Sequence, residues 1–211
     1  MQAVFITGTD TNVGKTLVSA WLARHWQATY WKPLQSGCNA DQATDRARVA
    51  TLSGQPTHPE AYRLAAPLSP NQAAACEDVQ IELARLRLPA AARLVVEGAG
   101  GLLATLNDRQ TMAELIVHLD LPVLIIGRTG LGTINHTCLT VEAARRRNLR
   151  IIGIVLSGIP NAANRRDIEH FSGVPVLDVL PQLTSVDAAA LAAQTPSTRL
   201  LRALDELPPL S

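Results

Sequence analysis

The sequence predicts a doubly wound α/β fold with a mostly parallel sheet, contained in one domain over residues 1–211. Three observations predict it. Runs of β-branched and apolar residues recur along the chain, most of them apolar at every position, as strands covered on both faces must be. Segments with apolar residues at helical spacing lie between these runs, and regular alternation of strand and helix implies parallel strands joined by crossover helices. At the first strand-to-helix junction stands GTDTNVGKT, residues 8–16, a glycine-bounded loop that ends in Lys15 and Thr16.

The elements follow in order. Gln2 to Thr7 (QAVFIT) reads as a buried strand, and TLVSAWLARHW after Lys15 as a helix. Further strands are expected at 28–32 (ATYWK), 93–98 (RLVVEG), 121–127 (LPVLIIG), 149–157 (LRIIGIVLS) and 174–180 (VPVLDVL). Helices are expected over Asp45–Leu52, Asn71–Leu86, Thr111–Leu119, Thr133–Arg147 and Asn164–His170. Thr111-Met112-Ala113-Glu114 has capping-box form, which fixes one helix start. The proline-rich stretch Gln55–Pro70 reads as a loop, and the tail after Pro181 carries the weakest pattern.

Composition bounds the function. A chain of 211 residues that is 47% hydrophobic has enough apolar material for one soluble domain with a sizeable core. A formal charge of +1 gives no electrostatic reason to expect nucleic acid, and Arg145-Arg146-Arg147 is a short basic run suited to a solvated helix end. Cys38, Cys76 and Cys138 are far apart and lack C-x-x-C spacing, which suits reduced thiols and offers no zinc pattern. No apolar run reaches the ~20 residues of a membrane helix, and no leader is expected ahead of Val4. A cytoplasmic location is the expectation.

The loop at 8–16 departs from the phosphate-loop pattern G-x-x-x-x-G-K-[ST], because five residues separate Gly8 from Gly14. Its context is nonetheless the required one, a strand before and a helix after. Backbone N–H groups from Asp10 to Thr16, including Thr11, Asn12 and Val13, can form an anion-binding concavity at the helix start that runs into Leu17. Gly14 permits close approach, Lys15 reaches the outer phosphates, and the Thr16 hydroxyl can bind Mg²⁺.

Ligands of such sheets gather beyond the carboxyl ends of the strands. KPLQSG (32–37) and EGAGG (97–101) fall there. Glu97 ends an apolar strand, where an uncompensated carboxylate is expensive to bury; an Mg²⁺ ion shared with Thr16 would compensate it. Gly98, Ala99 and Gly100 would let backbone approach a phosphate. Asp45 reads either as a third metal ligand or as a helix-start charge. Lys32 reads equally as a surface charge, and Ser36 before Gly37 as turn chemistry. In LGTINH, Leu131, Gly132, Thr133, Ile134 and Asn135 open a helix, a ready carboxylate site; Asn135 and His136 read equally as caps. The apolar positions of Thr133–Ala144, Cys138 among them, read as core.

Five motifs in one order, GTDTNVGKT, KPLQSG, VEGAGG, LPVLIIGRTGLGTINHTCLT and the looser APLSPNQAA, resemble those of the dethiobiotin synthetases over residues 8 to about 140. The resemblance implies a homodimeric ligase that uses Mg²⁺ and ATP. It would join 7,8-diaminononanoate and CO₂ (as bicarbonate) through a carbamate and a carbamic-phosphoric mixed anhydride. It assigns Lys32 as the catalytic lysine beside Lys15, with Thr11 and Ser36 on the diamine or carbamate. Thr16, Asp45 and Glu97 become the Mg²⁺ ligands, and Leu131–Asn135 hold the substrate tail from the partner subunit. Ser157, Gly158 and the Pro181-Gln182-Leu183 turn fall at the nucleotide.

The chain departs from that family at Ser157, where members often carry an adenine-reading Asn. Asn71 replaces a His and Asn12 replaces an acidic residue of some members. Two other classes compete. A deviant phosphate-loop ATPase switch needs a second lysine five positions before Lys15, where this chain has Asp10. A cobyrinate-type amide synthetase needs a source of ammonia, for which one domain leaves no room.

Overall fold

The computed structural model describes residues 1–38 and 44–210. The chain runs β1 (Gln2–Gly8), α1 (Lys15–Trp26), β2 (Thr29–Trp31), β3 (Leu34–Gln35), α2 (Asp45–Ser53), β4 (Thr57–His58) and β5 (Tyr62–Arg63). It continues through α3 (Pro70–Ala75), β6 (Arg93–Glu97), α4 (Met112–Leu119), β7 (Val123–Arg128), α5 (Thr133–Arg145) and β8 (Ile151–Ser157). It ends with α6 (Ala162–Ser172), β9 (Val176–Leu180), α7 (Ala188–Ala192) and α8 (Thr198–Asp205).

Seven strands form a parallel sheet in the order β4-β2-β6-β1-β7-β8-β9. Alternation along each strand divides the core into two layers. Val4, Ile6, Val95, Leu124, Ile126 and Val155 pack with Trp21 of α1, Val49 of α2 and Leu200 and Leu204 of α8. The intervening Phe5, Leu94, Val96, Val123, Ile125 and Ile154 pack with Met112, Leu115 and Ile116 of α4, Val141 of α5 and Ile168 of α6. Both faces are therefore covered, which is why the strand sequences are continuously apolar.

β1 sits centrally, with β6 on one side and β7 on the other. The chain winds outward from β1 to β2 and β4, returns to β6 beside β1, and then winds the other way, leaving a crevice over the carboxyl ends of these strands. Thr111 opens α4 as a capping box: its hydroxyl accepts from the Ala113 N–H at 3.2 Å, and Glu114 accepts from the Thr111 N–H at 2.7 Å.

Several expected elements differ. The helix expected over Asn71–Leu86 is only α3, because Asp78 turns left-handed (φ 53°) and a short turn at Leu83–Arg85 follows; buried Ile81 and Leu86 mimic helical spacing without a helix. The loop expected over Gln55–Pro70 contains β4 and β5, and β5 pairs with β3 as a small parallel ribbon. The strand at 28–32 shortens to three residues. Within α5, Cys138 is half-buried and Leu139 is 55% exposed, so the buried face is Thr133, Thr137, Thr140, Val141 and Ala144 instead. The tail folds into α7 and α8. Among the described residues, no helix is long and apolar enough to cross a membrane.

Candidate active site

The loop from Gly8 to Gly14 wraps the first turn of α1. Gly14 is the N-cap of that helix with φ 98°, a left-handed conformation that glycine adopts without strain. A Cβ added there would lie 2.6 Å from the Ser157 hydroxyl, so the turn also closes against the end of β8. The first-turn N–H groups of α1 have no intrahelical acceptor and face the site with the positive end of the helix. Lys15 is only 6% exposed, and its ammonium donates to the Asp10 carbonyl at 2.9 Å. Burial, partly offset by Glu97, lowers its pKa to about 8. The Asp10 carboxylate accepts from the Thr11 N–H at 2.7 Å and pairs with Arg128 at 3.4 Å.

The charged centre assembles from three elements. Glu97, at the end of β6, is fully buried; its Oε1 accepts from the Thr16 hydroxyl at 2.9 Å and from Lys32 Nζ at 3.0 Å. Lys32, just past β2, also donates to Asp45 Oδ2 at 2.7 Å. Asp45 is the first residue of α2, which Thr44 caps by accepting from the Ala47 N–H. The lysine ammonium thus bridges two carboxylates. Burial by itself would lower the Lys32 pKa, but Glu97 and Asp45 reverse this and raise it. Burial likewise opposes ionisation of Asp45, and Lys32 overcomes it, lowering that pKa.

Thr16, Asp45 and Glu97 converge on one spot that already attracts a cation, the Lys32 ammonium. Hard oxygen donors of this kind suit Mg²⁺, which binds through one or two carboxylates and completes its shell with water and phosphate. Among the described residues no group of three His, Cys, Asp or Glu converges.

Two clefts open over the sheet. One of about 300 Å³ lies at the helix start and is lined by Gly14, Lys15, Thr16, Leu17, Glu97 and, from the tail, Val186. A second of about 950 Å³ is lined by Ser36, Ala99, the Pro67–Pro70 turn and, on α5, His136, Leu139, Thr140 and Ala143. Thr11, Asn12, Lys32, Asp45, Arg48 and Gly100 line both, and so mark the boundary where they meet. Among the described residues, the buried Ser36 Oγ has no hydrogen-bond partner. Val13 is 2% exposed and packs under the loop. Gly98 lines neither cleft, but a Cβ there would lie 2.9 Å from the Phe5 ring.

Other expected positions lie apart. Leu131, Gly132, Thr133, Ile134 and Asn135 line neither cleft of their own chain. Leu131 is fully exposed, and Thr133 donates its hydroxyl to the Arg128 carbonyl. Gly132 is the N-cap of α5 with no side-chain cap, so neither Asn135 nor His136 caps it. Gly158 donates its N–H to the Leu180 carbonyl at 3.0 Å, beside the Pro181-Gln182-Leu183 turn, in which Pro181 and Leu183 are half-buried. Asn71 accepts from the Ser69 and Thr105 hydroxyls, which ties the start of α3 to the glycine-rich segment's continuation.

Sequence reasoning missed Tyr30, Arg48 and, on α5, Leu139, Thr140 and Ala143, while His136, read as either cap or ligand, lines the larger cleft. Tyr30 is fully buried and donates to Glu97 Oε2 at 3.0 Å; burial and the neighbouring Glu97 raise its pKa well above the usual phenol value. The available signal was its period-two relation to Lys32 on one strand.

Fold and site together define a phosphate-loop nucleotide-binding protein of the α/β class. A family model described as an AAA domain matches residues 2–190. Solved structures of like architecture include the cell division ATPase MinD of Pyrococcus furiosus, with a TM-score of 0.61, 13% identity and coverage of 98% of this chain and 99% of that one. The MinC:MinD complex of Aquifex aeolicus gives 0.57 at 12% identity, over 100% and 98% of the two chains.

Sequence relatives are nearer. The ATP-dependent dethiobiotin synthetase BioD of Paramagnetospirillum magneticum is 50% identical over 200 residues, 94% of this chain and 97% of the relative. The biotin biosynthesis bifunctional protein BioCD of Bordetella avium is 54% identical over 194 residues, 90% of this chain, which spans 42% of that longer relative. The chain belongs to the ATP-dependent dethiobiotin synthetase family, a family of ligases.

Proposed function

We propose that the chain, acting over 1–211 as one nucleotide-binding ligase unit in the cytoplasm, closes the ureido ring of dethiobiotin. Its substrates in this reading are 7,8-diaminononanoate, CO₂ drawn from bicarbonate, and ATP. The observation that carries it is the junction of the two clefts at Lys32 and Asp45, beside the phosphate loop. A triphosphate in the smaller cleft would direct its outer end at whatever lies in the larger one, with a buried ammonium at the meeting point.

The proposed chemistry, which the family resemblance implies, is compatible with that layout. One amine nitrogen adds to the CO₂ carbon and loses a proton, giving a carbamate. A carbamate oxygen then attacks the γ-phosphorus as the bond to ADP breaks. The second amine attacks the carbonyl carbon and loses a proton, the ring closes, and phosphate departs with the bridging oxygen. Two anions must meet in the second step, and Lys32 supplies a fixed positive charge between them. Lys15 and the N–H groups from Asn12 to Leu17 hold the phosphates, while Thr11 and Ser36, whose hydroxyl has no partner among the described residues, contact the diamine or carbamate. Thr16, Asp45 and Glu97 would hold Mg²⁺, which when bound neutralises charge on the β- and γ-phosphates. Glu97 to Gly100, Ser157, Gly158 and the Pro181–Leu183 turn bound the nucleotide in this reading.

A homodimer with a shared site is part of the proposal. That Leu131–Asn135 line neither cleft of their own chain supports their serving the partner's substrate tail. Mixing Lys32→Ala dimers with dimers altered at Asn135 should restore activity through hybrids with one intact site; no recovery after verified subunit exchange contradicts the shared site. The switch reading is disfavoured by Asp10, whose carboxylate is engaged with Thr11 and Arg128. The deciding assay is ADP release. It should require both the diamine and bicarbonate; release that needs neither, or that responds to a protein or membrane partner, overturns the proposal.

A further inference from the structure

Glu97 is 1% exposed at the floor of the smaller cleft, and its two oxygens are used differently. Oε1 faces Thr16 and Lys32, while Oε2, among the described residues, meets only the Tyr30 hydroxyl, at 3.0 Å. The register explains that contact. Tyr30 lies opposite Val95 in the parallel pairing of β2 with β6, and Glu97 follows Val95 by two residues on the same face. A side chain of tyrosine's length, leaning along the strand, reaches the carboxylate. Phenylalanine would fill the same apolar layer beside Val18, Trp21 and Val95, so the packing needs only the ring. The hydroxyl is what meets Glu97.

The geometry points to Tyr30 as a positioning residue for the metal site: its hydroxyl holds Glu97 Oε2, so that Oε1 is the oxygen presented to a divalent cation. This rests on the reading of Thr16, Asp45 and Glu97 as metal ligands. Partners that orient a ligating carboxylate matter to affinity, and losing one typically weakens binding about 10–100-fold.

The test uses Mn²⁺ as the probe, with free Mn²⁺ read by electron paramagnetic resonance in protein carrying a non-hydrolysable ATP analogue. Tyr30→Phe should weaken Mn²⁺ binding about tenfold or more. Unfolding of the metal-free protein should stay cooperative. In a Glu97→Gln background the added Tyr30→Phe change should alter affinity less than about twofold, because its target is gone. If Glu97→Gln weakens binding and Tyr30→Phe does not, the role of Tyr30 is overturned and the metal reading stands. If Glu97→Gln itself has no effect, the metal reading falls and the inference falls with it. Should Tyr30→Phe fail to fold, the wild-type protein carries the test, since it has only two tyrosines. With ring-¹³C labelling, the Tyr30 Cζ resonance should move on addition of Mg²⁺ and the analogue while that of Tyr62 stays; an unmoved Tyr30 resonance overturns the proposal.

Discussion

At the carboxyl end of the sheet Lys15, Lys32 and Glu97 are each less than a tenth exposed, whereas at the amino end the Arg93–Asp205 pair keeps 38% and 53% of its side-chain surface in water. The amino end is closed by apolar mass and by bonds to the chain's last elements. Trp26 is 1% exposed and donates to Asp205 at 3.0 Å, Arg93 lies 5.6 Å over the Trp26 ring, and Gln2 donates to the Asp205 and Leu207 carbonyls. Charge there is peripheral to packing. At the opposite end charge occupies the interior, held by mutual pairing of the Lys32 ammonium with the Asp45 and Glu97 carboxylates. Buried pairs of this kind give little net stability, and removing one partner is costly. The difference teaches that one end of the sheet serves folding and the other a ligand.

The largest expected effect is on stability. Trp26→Ala should lower unfolding free energy by about 3–5 kcal/mol, as truncation of a buried aromatic does, with turnover per folded molecule unchanged. Denaturant unfolding paired with an active-fraction assay checks both halves; a matching loss of turnover would join the two ends that the comparison separates.

Lys32→Ala should reverse that pattern in activity. Turnover is expected to fall about 10²–10³-fold, ~3–4 kcal/mol, with near-normal ATP binding. The metal-free protein should also lose stability, because Glu97 is left without its buried counter-charge. Steady-state kinetics beside nucleotide titration reads this, and an unchanged kcat removes Lys32 from the chemistry.

Legibility divides along the same line. Glu97 and the loop from Gly8 to Thr16 are readable in the sequence because a carboxylate ending an apolar strand and a glycine-bounded strand-to-helix loop have few structural uses, whereas Lys32 reads equally as a surface charge and only the family resemblance singles it out. The sheet is readable because strands buried on both faces are apolar throughout. The two-residue strands β3, β4 and β5 are too short to show any period, and the run after α3 imitates a helix through Ile81 and Leu86. The tail helices do carry signals: Asp187 and Ser197 each cap a helix by accepting from the N–H three residues on. Asp45 reads as a helix-start charge or a metal ligand, and as the first residue of α2 it carries no local sign of its contact with Lys32. Tyr30 was hidden because an aromatic in a strand is ordinarily packing.

A smaller effect is expected at the base. Ser157 cannot make the paired contact that an Asn amide offers adenine, a contact worth ~1–3 kcal/mol of discrimination. CTP, GTP or UTP should therefore support turnover within about tenfold of ATP in kcat/KM, ~1.4 kcal/mol. A nucleotide panel at fixed Mg²⁺ checks it, and an ATP preference above about a hundredfold, ~2.7 kcal/mol, would assign base recognition to other groups.

The smallest belongs to the amino end again. Asp205→Asn removes the charge of an exposed pair and keeps an acceptor for Trp26, so stability should change by about 0–1 kcal/mol and turnover not at all. Thermal unfolding at low and high salt measures it; a loss of several kcal/mol would show that charge matters as much at this end as at the other.

The central claim is that the carboxyl end of the sheet directs the γ-phosphate onto a carbamate oxygen. Turnover with ¹⁸O-labelled bicarbonate, diamine and ATP tests it most directly, with the released phosphate read by mass spectrometry before bicarbonate exchanges with water. The account expects one ¹⁸O in each phosphate, matched to one ADP and one dethiobiotin. Phosphate without ¹⁸O, its fourth oxygen drawn from solvent, released at the same rate without the diamine, would contradict it.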